Sequence, residues 1–88
     1  NGFAIFLIKP QFEAKRNEIE KGIVNDSNVH KRIINEVIEE AKIHQLFLEN
    51  LTVSPIKGTK GNIEYLAKFS KKNNFFSNKE IVDKLFNN

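Results

Sequence analysis

The sequence contains no cysteine, which excludes a disulfide framework and a thiolate metal site. A chain without disulfides suits a reducing compartment, and we expect a cytoplasmic protein. Long apolar runs are also missing, since the longest falls far short of the roughly 20 residues that a membrane helix needs, and no membrane partner is expected. The apolar opening lacks a basic leader and a cleavage site of small residues, so it does not predict a signal peptide.

The composition that remains is that of one small domain or of a piece of a larger one. Of the 88 residues, 40% are hydrophobic and 28% are charged, and the net charge is +3. A basic balance mildly favours a polyanionic partner, although a modest excess of lysine is more often a solvated surface.

The first strand is predicted over residues 3–9, between Gly2 and Pro10. Both of its alternating faces are apolar, which is typical of sheets that helices cover on two sides. The charged, weakly periodic residues 12–26 predict a loop with a helical turn.

The main helix is predicted over residues 28–46, because apolar residues recur every four positions from Val29 to Ala41. Two further strands are predicted over residues 46–53 and 62–69. A short last helix is predicted over residues 77–86, where the sequence predicts a capping box of Ser77 with Glu80 and a hydrophobic staple of Phe76 onto Ile81. The expected division is a main part, residues 1–70, and a linker with the short helix, residues 71–88.

The connections predict the directions of the strands. A helix lies between strands one and two, so these should run parallel, whereas the short second connection should make strand three antiparallel. Lys9, at the carboxyl end of strand one, and Glu64, near the start of strand three, would then meet at one edge of the sheet, where open α/β sheets bind ligands. The spacing leaves two interpretations open: an ordinary ion pair, or a catalytic pair in which a partly desolvated lysine acts as a base.

Other polar groups carry weaker signals. His30 is expected on the polar face of the main helix rather than at a metal, and the glycines of residues 58–61 are expected to supply positive φ in a loop. Five lysines late in the chain form either a phosphate-facing patch or a solvated surface: Lys57, Lys60, Lys68, Lys71 and Lys72.

Three sequence blocks resemble a known family. They are LIKPQFE at residues 7–13, VH at residues 29–30 and SPIKGTKGNIE at residues 54–64. Together they resemble the carboxyl-terminal part of the hemolysin A (TlyA) group, which are FtsJ-like methyltransferases of the ribosomal RNA ribose 2′-hydroxyl. The resemblance covers roughly residues 2–69, and the tail lies outside it.

The resemblance implies a Rossmann-like methyltransferase fold that uses S-adenosylmethionine and a catalytic Lys-Asp-Lys-Glu set. Lys9 matches the third member and Glu64 the fourth, while the first two members, the glycine-rich cofactor loop and an RNA-binding domain would lie upstream of this chain. It also implies a three-stranded mixed sheet in the order one–three–two, with the last strand antiparallel and inserted.

The function expected on this basis is the carboxyl-terminal fragment of an rRNA 2′-O-methyltransferase, inactive alone, whose parent acts on ribosomal RNA or a ribosomal subunit. The alternative is a small basic module that binds RNA or protein without catalysis. In the family fold the outer edge of strand one pairs with a strand that this chain does not contain, so we expect the fragment to form a homodimer through the strand Phe3–Ile8.

Overall fold

A three-stranded sheet lies at the centre of the structure, a computed structural model that describes residues 2–73 and 78–86. Its elements follow one another as β1 (Phe3–Ile8), α1 (Pro10–Glu13), α2 (Ser27–Ile43), β2 (Phe47–Val53), β3 (Tyr65–Ser70) and α3 (Asn78–Phe86). Two short 3-10 turns, Arg16–Glu18 and Thr59–Gly61, stand in the connections.

The strand order β1-β3-β2 confirms the predicted topology. β3 lies between the other two strands and is antiparallel to both, so β1 and β2 run in the same direction. The predicted α/β class, with one main helix and a short last helix, is therefore confirmed.

One face of the sheet carries the core. Tyr65, Ala67 and Phe69 of β3 are buried on this face, where the ring of Phe86 from α3 lies 5.8 Å from that of Tyr65. α2 contributes its apolar stripe to the same cluster, which unites Ile8, Ile33, Ile34, Ile38, Ala41, Leu48, Leu51, Tyr65, Ala67, Phe69 and Val82.

The opposite face of β1 is open, which differs from the expected burial on both faces. Phe3, Ile5 and Leu7 are 63%, 58% and 46% exposed, because the helices of the described residues all pack on the other side. An apolar strand pattern predicts that a face is suited to burial, but it does not say which segment covers that face.

The helix and strand ends differ from the predicted ends for local reasons. α2 begins after Asp26, whose carboxylate accepts a 2.9 Å hydrogen bond from the Asn28 amide, and it stops at Ile43 because Gln45 adopts a left-handed φ of 60°. The predicted capping box and staple of the last helix involve Ser77 and Phe76, which lie outside the described residues.

The connection between β1 and α2 is more structured than a plain loop. α1 forms directly after β1, and Glu20 and Ile23 exchange two 2.9 Å backbone hydrogen bonds across a tight turn. Lys21 and Gly22 at the centre of this turn both have positive φ, as a type I′ turn requires. Glu18 binds Arg32 of α2, which fixes the connection to the main helix.

Candidate active site

Lys9 follows β1 directly and begins a change in chain direction. Pro10 occupies the first turn of α1, where its fixed φ favours the helix and its missing N–H costs nothing. The Lys9 backbone remains extended and its carbonyl accepts a 2.9 Å hydrogen bond from the Phe12 amide. The Lys9 ammonium lies 5.2 Å from the centre of the exposed Phe12 ring.

Glu64 precedes β3 and is a buried carboxylate, with 6% of its surface exposed. Ile8 and Tyr65 are the last residues paired between β1 and β3, so the antiparallel register carried one step further sets Lys9 opposite Glu64. The Glu64 carbonyl accepts a 2.8 Å hydrogen bond from the Ser54 amide, which links the end of β2 to the start of β3.

No direct ion pair joins the two residues within the described ranges. Instead, the Glu64 carboxylate accepts a 2.7 Å hydrogen bond from the side-chain amide of Gln11 on α1. The structure thus brings Lys9 and Glu64 to one end of the sheet and inserts Gln11 beside the carboxylate. Gln11 lies inside the LIKPQFE block but has no role in the sequence-based prediction.

Gly58 closes the other side of the carboxylate. A Cβ atom at position 58 would lie 2.0 Å from Glu64 Oε2 and 2.8 Å from Gln11 Nε2, which is closer than atoms can approach. The expectation that this glycine supplies positive φ is wrong, because its φ is −78°; it is Gly61 that has a φ of 81°. Gly58 is needed for the close approach of the chain to Glu64.

Asn62 joins the two loops that border the site. Its side chain is 1% exposed, accepts a hydrogen bond from the Val24 amide at 3.1 Å, and donates to the carbonyls of Gly22 and Thr59 at 2.8 Å each. Its backbone also bonds within the loop, because the Asn62 amide donates to the Thr59 carbonyl at 3.1 Å and the Asn62 carbonyl accepts from the Gly58 amide at 2.8 Å. Residues 62–64 therefore form a connection between loops rather than the start of strand three that the alternation predicted.

His30 is buried rather than on the polar face of the helix, so that prediction is wrong. It is 4% exposed, and its two ring nitrogens lie 2.7 Å from the Val24 carbonyl and 2.7 Å from the Tyr65 hydroxyl. The carbonyl can only accept, so Nε2 donates to it; in the neutral ring Nδ1 then accepts from Tyr65. Burial raises the pKa of Tyr65 to about 12. These bonds are structural, and they attach the loop before α2 to β3.

The remaining sequence candidates are spread over the surface. Lys57 and Lys60 are exposed beside the site. Lys68 lies on β3, and its Nζ atom is 3.5 Å from Glu49 Oε1 and 4.8 Å from the centre of the Phe3 ring. Within residues 2–73 and 78–86, no cluster of three His, Asp or Glu side chains could hold a metal ion. The helices in the same ranges are too short or too polar to cross a membrane.

The fold and the site therefore define an α/β unit in which a lysine and a buried glutamate occupy facing positions at one end of a sheet. No protein-family model matches the chain. Hemolysin A of Brachyspira hyodysenteriae is 52% identical over 69 residues, which are 76% of this chain and 28% of the relative. The "Putative rRNA methyltransferase YqxC" of Bacillus subtilis is 43% identical over 61 residues, which are 68% of this chain and 22% of the relative.

Solved structures give the same relationship. A "putative hemolysin" from Lactococcus lactis matches 96% of this chain with a TM-score of 0.79 and 36% identity, over 43% of its own length. One from Streptococcus thermophilus matches 94% of this chain with a TM-score of 0.79 and 38% identity, over 32% of its own length. The predicted resemblance to the hemolysin A group is confirmed, and the chain spans about a quarter of the curated relatives it matches.

Proposed function

We propose that this chain is the carboxyl-terminal part of an S-adenosylmethionine-dependent rRNA 2′-O-methyltransferase that acts on ribosomal RNA, or on a ribosomal subunit, in the cytoplasm. The observation that carries the proposal is the opposition of Lys9 and the buried Glu64 at the end of the sheet. The likeness to a relative named as an rRNA methyltransferase supports it.

The chemistry assigned to Lys9 is removal of a proton. A ribose hydroxyl is a poor nucleophile, so its reaction needs a base within hydrogen-bond reach and alignment with the methyl donor. The amine form of Lys9 accepts the 2′-hydroxyl proton and becomes an ammonium ion. The carboxylate of Glu64 stabilises that charge and holds the ammonium in place.

Adenosylmethionine would supply the methyl group, but the described residues do not fit its binding site. A cofactor loop of this class needs glycines that leave backbone amides open to the ligand. Here the carboxylate of Glu64 fills the space at Gly58, and the loop forms a short turn at Thr59–Gly61 rather than opening a helix. We therefore assign cofactor binding to the parent enzyme and to none of the residues of this chain.

The test uses the full-length parent protein and primer extension on rRNA. Lys9→Ala and Glu64→Ala are each expected to reduce methylation by about 10²-fold or more, the usual weight of a general base or its partner. Lys42→Ala and Glu39→Ala are matched controls, because these residues form an exposed 2.9 Å pair on α2. Near-normal methylation by Lys9→Ala would contradict the catalytic role and mean that Lys9 is an ordinary residue at a strand end.

A second measurement separates the enzyme from the alternative, a non-catalytic module that binds RNA or protein. The full-length protein is expected to bind adenosylmethionine in a calorimetric titration, whereas a pure binding module should show no affinity. The 88-residue chain alone is expected neither to methylate RNA nor to bind adenosylmethionine. Micromolar binding to the isolated chain would contradict the assignment of the cofactor site to the rest of the parent.

A further inference from the structure

The Glu64 carboxylate is held in an unusual way for a buried charge. Burial of a carboxylate is costly unless hydrogen bonds or a cation offset the lost hydration. In the described part of the chain, the carboxylate accepts one side-chain hydrogen bond, from Gln11 Nε2 at 2.7 Å, and it has no cation within ion-pair distance. Its position therefore depends on a neutral amide.

The amide and Gly58 act on the same carboxylate oxygen. Gln11 Nε2 donates to Glu64 Oε2, and the hypothetical Cβ atom at position 58 would fall 2.0 Å from that oxygen. One side of the oxygen is thus fixed by a donor and the other by a glycine that leaves no spare room. Such close support is typical of side chains whose orientation matters for function.

The orientation of the Gln11 amide follows from the same contact. Nε2 must face the carboxylate, because reversing the amide would place two acceptors together. This leaves Oε1, which is buried and has no hydrogen-bond partner in the described residues. A buried acceptor without a donor calls for an explanation. Lys9, two residues earlier and opposite Glu64 in the register, carries a donor of the right kind.

We propose that Gln11 is a positioning residue of the Lys9–Glu64 site: Nε2 holds the Glu64 carboxylate against Gly58, and Oε1 accepts a hydrogen bond from an N–H of Lys9 Nζ. Lys9 reaches Oε1 by leaving the Phe12 ring, which is 70% exposed and forms only a surface contact with the ammonium. This inference rests on the proposed function and adds to it the group that couples base and carboxylate.

The first arm of the test is kinetic and uses the full-length protein with rRNA. Gln11→Met keeps the length of the side chain but removes the donor and the acceptor. It is expected to lower kcat by about 10- to 100-fold, the size of a hydrogen bond to a charged group, with KM for rRNA nearly unchanged. Gln45→Met is the matched control, since Gln45 is the other glutamine of the sequence and is exposed after the end of α2. Equal activity of Gln11→Met and Gln45→Met would overturn the proposal.

A second variant distinguishes positioning from a general loss of packing. Gln11→Glu places a second carboxyl group against Glu64, and the pair can bond only when one of them carries a proton. The activity of Gln11→Glu relative to the unchanged enzyme should therefore rise as the pH falls, whereas that of Gln11→Met should stay constant. A constant ratio for both variants would assign Gln11 a packing role only.

The third arm is structural and does not depend on methylation. Crystal structures of the full-length protein are expected to show Lys9 Nζ within about 3.2 Å of Gln11 Oε1. In Gln11→Met, Glu64 should turn away from Gly58. If the full-length protein shows these contacts but never methylates rRNA, the methyltransferase proposal fails and the positioning role stands. If Glu64 keeps its place in Gln11→Met, the positioning role fails.

Discussion

At the scale of single residues, the site depends on the close packing around the Glu64 carboxylate as much as on the charges of Lys9 and Glu64. Lys9 and Glu64 stand out because a cation directly follows one apolar strand and a carboxylate directly precedes another. Gln11 and Gly58 carry no such signal, because one is a common polar residue and the other resembles any loop glycine. Their roles depend on distances across 53 and 6 positions of the chain, which no local pattern encodes. The two blocks that contain them, LIKPQFE and SPIKGTKGNIE, point to them only through the resemblance to the hemolysin A group.

Replacing Gly58 tests this fit. In Gly58→Ala the new methyl group would overlap the ends of Glu64 and Gln11, which can move aside, so the fold should survive with a stability loss of about 1–3 kcal/mol. The displaced carboxylate should reduce methylation by the full-length protein by about 10-fold or more. Thermal unfolding and primer extension measure the two effects.

Gly2→Ala provides the control, because a Cβ atom at Gly2 meets nothing within 4 Å. It should change neither stability nor activity. Normal methylation by Gly58→Ala would mean that the close approach at Glu64 is not required.

The burial of the Tyr65 hydroxyl predicts an alkaline limit of stability. Burial raises the pKa of Tyr65 from 10.0 to about 12, so the folded state holds the phenol proton more tightly than the unfolded chain does. That contribution is fully present below pH 10 and is lost as the pH rises toward 12. Urea unfolding at several pH values should show this decrease, and Tyr65→Phe should remove it.

The same substitution has a cost at neutral pH. Tyr65→Phe leaves the Nδ1 atom of the buried His30 ring without its 2.7 Å partner, which should cost about 1–3 kcal/mol. An alkaline decrease of equal size in Tyr65→Phe would assign the effect to other groups, such as the surface lysines.

At the scale of elements, the sequence predicts the helices and strands whose positions depend on burial of an apolar face. It does not predict the element ends that depend on the local backbone conformation and on tertiary hydrogen bonds. The stripe from Val29 to Ala41 places α2, and the alternation of Tyr65, Ala67 and Phe69 gives the buried face of β3. The start of β3 is later than predicted because the backbone of Asn62 bonds within its own loop and its side chain bonds to the connection before α2. The end of α2 is earlier because Gln45 takes a left-handed turn that glycine more often marks.

The connection between β1 and α2 predicts how the stability of the fold decreases at acidic pH. The hydrogen bonds of Arg32 hold the pKa of Glu18 well below its ordinary 4.5, at about 2. A lowered folded-state pKa stabilises the fold above pH 4.5, and the contribution is lost as the pH falls toward 2. Glu18→Gln should therefore lower the free energy of unfolding near pH 6. It should also make that free energy depend less on pH between pH 4.5 and pH 2.

Glu39→Gln is the matched control for this element. Glu39 forms an exposed 2.9 Å pair with Lys42 on α2, where surface pairs contribute little. Hydrogen exchange of the amides of residues 15–24 reports the local effect, since release of Glu18 should free this connection first. Identical acid profiles for the two variants would mean that the Glu18–Arg32 pair does not hold the connection.

At the scale of the whole molecule, one sheet face has a core and the other does not. The open face of β1 presents Phe3, Ile5 and Leu7 to solvent, and within the described residues β1 has a paired edge toward β3 and a free edge on its other side. Contiguous apolar surface and free strand edges both favour association. The composition alone, with 28% charged residues, does not reveal this uneven distribution.

The 88-residue polypeptide is accordingly expected to pair through β1 with a second copy, forming a two-fold sheet with three strands from each chain. Sedimentation equilibrium at tens of micromolar should give about twice the chain mass of 10.2 kDa. Ile5→Lys puts a charge on the open face beside the pairing edge and should restore the monomer. Ile56→Lys introduces the same charge at a loop residue that is 76% exposed, and it should leave the dimer intact. A monomer of 10.2 kDa for the unchanged chain would refute the pairing and leave the open face to be covered by a different partner.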